Sequence, residues 1–312
     1  MPDTKKNKKR KAPLSYSRYL SSVIAIMLVA LFLTVLRVVA VLRDYETSIQ
    51  YFKLGSVLAA CFNGGAVALV LCAFILPMFV DKERFAKIAP AGNTHTVFIS
   101  FFSAAAIAVF AVFEAKDFFA RASADEMETA QSFTQRFHTM SGVCVILAVG
   151  FALYFILTAI SKPSKTSVRA LIGCFGAAFL ISRLLVLYFD TSSPINSPIK
   201  TLDQMANSAA LLFLAGELRL LVSDARPRFA AQTGLAALVL LLPSSVSQLI
   251  GSFAGVLPLD TNTLYALFEF TFALYCGNRI LSLLFAKKTA PEAGEKVGSA
   301  EGIQDAANVK EG

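Results

Sequence analysis

Thirteen side chains in this 312-residue sequence could do chemistry and lie where water is scarce. Arg37, Asn63, Glu114, Arg183, Asn207, Gln248 and Glu269 fall at a similar depth inside long apolar segments, with Asp190 and Asp203 at the rim of that level. Glu217, Arg219 and Arg279, joined by Asn278, fall toward the opposite ends of their segments. A charge at the centre of a bilayer costs about 2.5–3.5 kcal/mol on insertion scales, so each of these groups needs protein or water around it. The first group has the makings of a polar pocket for a small solute: two guanidinium groups, carboxylates to balance them, and three amides to hydrogen-bond. The same residue types would also serve as ion pairs holding helices in register, Arg183 with Glu269 for example. Arg37, Arg219 and Arg279 have stems long enough to reach headgroups.

Spacing says which faces carry these groups. Asp203, Asn207, Ala210, Leu214 and Glu217 follow one another at intervals of 4, 3, 4 and 3, so they share one helix face that must turn toward protein or water. Tyr265, Glu269, Ala273 and Cys276 form a comparable face. Pro243 predicts a kink, and Ser244, Ser245 and Ser247 stand ready for the carbonyls it frees. Gly64-Gly65, beside Asn63, would admit a close helix neighbour. The stretch Asp190–Lys200, with two prolines and an asparagine, has the turn chemistry of an ordered loop that could cap the polar level.

The elements that must position these residues follow from composition. The chain is 56% hydrophobic and 16% charged, against roughly 45–50% and 25% for a soluble domain, which makes lipid its main solvent. Eight apolar segments, near 19–42, 54–80, 97–116, 139–160, 170–190, 202–222, 229–251 and 264–285, approach or exceed the length that spans hydrocarbon. Helix is the only open-chain way across. The expected architecture is an all-α membrane protein: an eight-span helix bundle over 19–285, preceded by a basic segment at 1–18 and followed by a polar tail at 286–312 with no apolar periodicity, expected to be disordered. The first apolar stretch is too long, and lacks the small-residue cleavage site, to be a signal peptide, so it reads as a retained anchor. With the N-terminus inside, 17 Lys and Arg residues fall on the cytoplasmic side and 6 outside, which places both termini in the cytoplasm. The expected location is a bacterial plasma membrane. Most of the net charge of +8 is thus a topology signal and not a nucleic-acid footprint.

Arg37 and Arg183 each precede an aspartate by seven residues (Asp44, Asp190), and residues 151–154 and 272–275 share the tetrapeptide Phe-Ala-Leu-Tyr, which suggests a parallel duplication of four spans each. The connection 116–138, where Asp125, Glu126 and Glu128 mix with Phe118, Phe119 and Phe133, reads as an interfacial helix or a solvated loop. Cys61, Cys72, Cys144, Cys174 and Cys276 all lie in apolar segments without a CxxC pair and read as buried small hydrophobes; His95 and His138 fall in loops. No metal or cofactor site is expected. Phosphate-binding, zinc-protease and nucleophile-elbow motifs are missing, so the chain is not expected to be an enzyme. Two functional classes stay open. One is a small-solute transporter or permease. The other is a non-transporting sensor, assembly factor or accessory subunit that works through a partner membrane or cytoplasmic protein. The expected partners are membrane lipid and a small-molecule ligand, with no nucleic acid.

Overall fold

Eight helices form among the described residues, each where an apolar run is long enough to close many backbone hydrogen bonds within itself. They are α1 (Tyr16–Asp44), α2 (Val57–Ile75, extended by a 3-10 turn Leu76–Phe79), α3 (Thr94–Ala122), α4 (Ser132–Ile160), α5 (Thr166–Phe189), α6 (Pro198–Val222), α7 (Pro227–Phe253) and α8 (Thr261–Phe285). The structure, a computed structural model, describes residues 16–79, 94–122, 132–160, 166–222 and 227–285. Helices α1 to α7 are long and apolar enough to cross a membrane, so this is an all-helical bundle of the multi-pass membrane type. Helix α8, of similar length, carries Glu269, Asn278 and Arg279 and falls short of that apolarity. Eight segments were expected to qualify; seven do by length and composition.

Packing explains the difference. Helices α3, α4, α5, α6, α7 and α8 each pack on the next, and α8 closes back on α3, making a ring of six; α1 and α2 dock on the outside against α7. Helix α7 is therefore enclosed, with 83% of its apolar window buried against 28% for α2. The ring interior is filled with aromatic side chains. Phe151 lies 5.0 Å from Phe155, 5.7 Å from Phe179 and 5.4 Å from Phe268 between ring centroids, and Phe213 and Phe272 continue the layer. Each such pair contributes about 0.5–1.5 kcal/mol beyond its buried area. Close approach of α4 and α5 depends on reciprocal glycines: a Cβ on Gly176 would sit 2.4 Å from the Phe151 ring, and one on Gly150 would sit 2.6 Å from Phe175 Cβ. Large apolar side chains such as Phe32, Ile146 and Leu171 point outward, as lipid-facing residues do. The two halves differ in their neighbours, since α5 and α6 belong to the ring while α1 and α2 lie outside it.

Several boundaries differ from the sequence reading. Most of 116–138 is helical, because α3 runs on to Ala122 and α4 begins at Ser132. His138 accordingly sits in α4, stacked on Phe118 at 4.2 Å, and His95 in the first turn of α3, so neither is in a loop. Cys144 and Cys276 are buried, but Cys61, Cys72 and Cys174 are exposed on outward helix faces. Helix α7 continues through Pro243, and Ser245 bonds to the carbonyls of Leu241 and Leu242. A short hairpin pairing Tyr45–Glu46 with Tyr51–Phe52 was not anticipated. The basic segment before residue 16, Lys82, Arg84, Lys87, Asp125, Glu126, Glu128, Lys162, Lys165, Arg226 and the tail from 286 lie outside the described residues.

Candidate functional site

Three connections meet at one end of the bundle: the hairpin Tyr45–Phe52, the α5–α6 loop and the α7–α8 loop. Each is tied down by its own polar side chains. Asp190 Oδ1 accepts from the Ser192 amide at 2.9 Å, an Asx-type turn. Ser197 precedes Pro198, the first residue of α6, and its hydroxyl accepts from the Lys200 amide at 3.3 Å. Asp260 caps α8 by accepting from the amides of Asn262 and Thr263. Helix α7 ends at Phe253, and two residues on Gly255 takes a φ of +74° that suits glycine, while the amides of Val256 and Leu257 return to the Gly251 carbonyl. Gln50, itself at φ +58°, donates from Nε2 to the Ser192 carbonyl at 3.1 Å and fastens the hairpin to the loop beside it.

These connections surround a cavity of about 450 Å³ with Asp203 and Gln248 among its lining and Tyr45, Asp190, Lys200 and Asp260 around them. A neighbouring cavity of about 490 Å³ shares Asp190, Ser192, Asp260 and Asn262 with the first and reaches Glu114, Arg121 and Arg183. Both fall in the size range of small-molecule pockets. The Lys200 ammonium donates to the Asp190 carbonyl at 2.6 Å. Burial holds the Tyr45 hydroxyl above its ordinary pKa, against the opposing pull of Arg37, so it remains a neutral phenol.

A polar network continues from the first cavity into the bundle. Ser244 donates to Asp203 Oδ1 and lies 3.5 Å from Glu269 Oε2. Asn207 donates to Glu269 Oε1 at 2.9 Å and to the Asp203 carbonyl at 2.9 Å, and it accepts from the Tyr265 hydroxyl. Arg183 lies over the Tyr265 ring at 4.4 Å and donates to Asn262 Oδ1 at 2.6 Å. The α6 stripe predicted from spacing thus faces protein, and Asp203, Asn207, Gln248, Glu269 and Arg183 do converge.

Other expected members are placed differently. Asn63 is exposed on the outward face of α2, and its neighbour Gly64 faces open space; only Gly65 makes a close approach, to Leu33. Arg37 is buried and lines neither cavity, standing behind Tyr45 and Asp203 of the first; it lies 4.7 Å from the Phe52 ring and 5.0 Å from that of Phe62 and donates to the Pro198 carbonyl at 3.1 Å. Glu114 pairs with Arg121 at 3.0 Å and accepts from Ser141; it also lies close enough to Arg183, across the second cavity, for their charges to attract, but does not act on Arg37. No ion pair joins Arg183 to Glu269 among the described residues. Ser244 turns to Asp203 and not to a freed carbonyl of α7.

At the opposite end Arg279 holds Glu217 through two N–H groups at 3.0 and 3.2 Å, deep in the bundle, while Arg219 is exposed on α6. Asn278 donates to Thr96 at 2.7 Å. Arg169 and Lys200, which the charge count placed in loops, are both buried; their position next to short connections concealed this in the sequence. The aromatic layer separates this end from the polar network. Among the described residues no group of three His, Cys, Asp or Glu side chains could hold a metal ion. Comparison of the chain with known protein families, with curated proteins and with solved structures finds no match.

Proposed function

We propose that this multi-pass membrane protein binds a small polar solute in the vestibule and acts as its transporter or permease. The observation that carries the reading is the cavity of about 450 Å³ lined by Asp203 and Gln248, where Asp203 leads, through Ser244, to Glu269 and Asn207 inside the bundle. An ion pair fixing helix register needs no cavity beside it; a solute site does. In this reading all eight helices span, with α8 shielded from lipid by α3 and α7, both termini are cytoplasmic, and the vestibule opens outward. The bias of 17 to 6 in basic residues supports that orientation. The membrane would be a bacterial plasma membrane, and the chain would not be an enzyme.

One observation favours a second reading. The aromatic layer of Phe151, Phe155, Phe213, Phe268 and Phe272 lies between the vestibule network and the Glu217–Arg279 pair, which is the form expected of a non-transporting sensor or accessory subunit that binds without passing the solute on. A transporter caught open to one side has the same form. Two measurements on the purified full-length chain separate the cases: thermal unfolding against a library of small polar solutes, and flux of any stabilising solute into vesicles carrying the protein. Stabilisation with flux is expected, both lost in Gln248→Leu. Stabilisation without flux selects the sensor or accessory reading. A library that leaves the melting temperature unmoved removes the vestibule as a binding site.

A further inference from the structure

We propose that the vestibule takes an organic cation, a small solute bearing one or more ammonium groups. The inference rests on the vestibule being a solute site and names the class of solute. The first cavity is lined by Asp190, Asp203 and Asp260 and, among the described residues, by one cation, Lys200, whose ammonium is already engaged by the Asp190 carbonyl at 2.6 Å; Arg37 and Arg183 act on Asp203 from behind the wall. Gln248 supplies an independent sign. It is only 8% exposed, it lines the same cavity as Asp203, and its Oε1 has no partner. A buried acceptor left unpaired costs about 1–3 kcal/mol; Oε1 has no open surface as the side chain stands, and turning the amide would bring it to a donor on a bound solute. Ser244 meets Oδ1 of Asp203, leaving Oδ2 of that carboxylate as a second acceptor.

The adjoining cavity has the same bias. Glu114, Asp117, Asp190 and Asp260 outnumber Arg121 and Arg183, and those two guanidinium groups are bound to Glu114 and Asn262. The unpaired Nε of Arg183 is the one feature there that suits an anion; four carboxylates against two cations outweigh it. An acidic mouth also concentrates cations from solution. A bare metal ion is disfavoured because no three carboxylates converge on one point among the described residues. Acceptors set apart on separate walls suit a solute that carries several N–H donors or spreads its charge over a larger body. The Tyr45 side chain in the wall offers an aromatic surface to such a cation.

The test is thermal unfolding of the purified full-length chain with defined probes: putrescine, ethanolamine and tetramethylammonium; the neutral butanediol and tert-butanol; the anions succinate and acetate; and Ca²⁺ or Na⁺. We expect the ammonium probes alone to raise the melting temperature, with apparent affinity falling as salt rises. Asp203→Asn should weaken the best probe about tenfold or more, the loss of one charge-assisted contact. Gln248→Glu, which adds a carboxylate at the unpaired acceptor, should tighten it and keeps the test informative should Asp203→Asn fail to accumulate. Stabilisation by the alcohols, the anions or the metal ions in place of the ammonium probes overturns the cation assignment while leaving a solute site standing. Absence of any shift in the whole series ends both readings.

Discussion

Arg279 of α8 reaches across to α6 and binds both carboxylate oxygens of Glu217, with Nε to Oε1 at 3.0 Å and Nη2 to Oε2 at 3.2 Å. Ten residues earlier on each helix, Asn207 of α6 binds Glu269 of α8 at 2.9 Å. Equal spacing on both helices makes these two rungs of one ladder between parallel helices, about 15 Å apart along the axis. They fix the rotation and the axial register of α6 against α8.

Breaking the lower rung should be costly, because the remaining partner becomes an uncompensated buried charge. Glu217→Gln and Arg279→Met are each expected to lose about 3–5 kcal/mol, whereas the double replacement Glu217→Met with Arg279→Met should recover most of it. Thermal unfolding of the three variants in detergent checks this. If the double variant melts as low as the singles, the pair is not what holds the register.

The upper rung should separate folding from function. Glu269→Ala is expected to abolish solute binding while the protein still inserts and accumulates, whereas Arg183→Ala, which removes a cation beside the acidic cavities, should keep or tighten the binding of a cationic solute. Tyr265→Phe, which strips the donor from Asn207 Oδ1, should cost about 1–3 kcal/mol of stability. Membrane yield, melting temperature and solute-dependent stabilisation, measured side by side, distinguish the effects.

Glycine substitutions test the α4–α5 contact. Gly176→Ala would drive a methyl group against the Phe151 ring at 2.4 Å, so a loss of about 1–3 kcal/mol is expected from overpacking. Gly64→Ala meets nothing within 4 Å and should be neutral or slightly stabilising through helix propensity. Equal melting temperatures for the two variants would contradict the close packing.

Orientation can be read with an impermeant maleimide. In a cysteine-free background, Thr47→Cys and Ser193→Cys, both in the vestibule wall, should label on intact cells. His95→Cys, in the first turn of α3, should label only after the membrane is opened. The reverse pattern would invert the proposed topology.

Seen from single residues, the limits of the sequence are clear. The 4-3-4-3 spacing was enough to put Asp203, Asn207 and Glu217 on one protein-facing stripe of α6, because helical geometry is local. Depth alone grouped Asn63 with them, yet α2 turns Asn63 outward, since its buried face carries Phe62, Ala66 and Leu69 instead. Arg37 looked like a pocket cation and is instead enclosed by Phe52 and Phe62, one of them on a hairpin whose two-residue strands leave almost no periodic signal.

What the sequence determined by itself is the class of solvent, the helices and their approximate ends, because hydrophobicity and 3.6-residue periodicity act within one segment. What only the tertiary structure decided is partnership: Glu114 with Arg121, Glu217 with Arg279, Glu269 with Asn207, and a cavity wall in which Asp260 joins Asp190 and Asp203 while Arg183 lines the adjoining cavity and Arg37 lines neither. Partners on different helices are chosen by which helices become neighbours and by their relative rotation, and in lipid that choice rests on the fit of small and aromatic side chains between helices, which no single segment encodes.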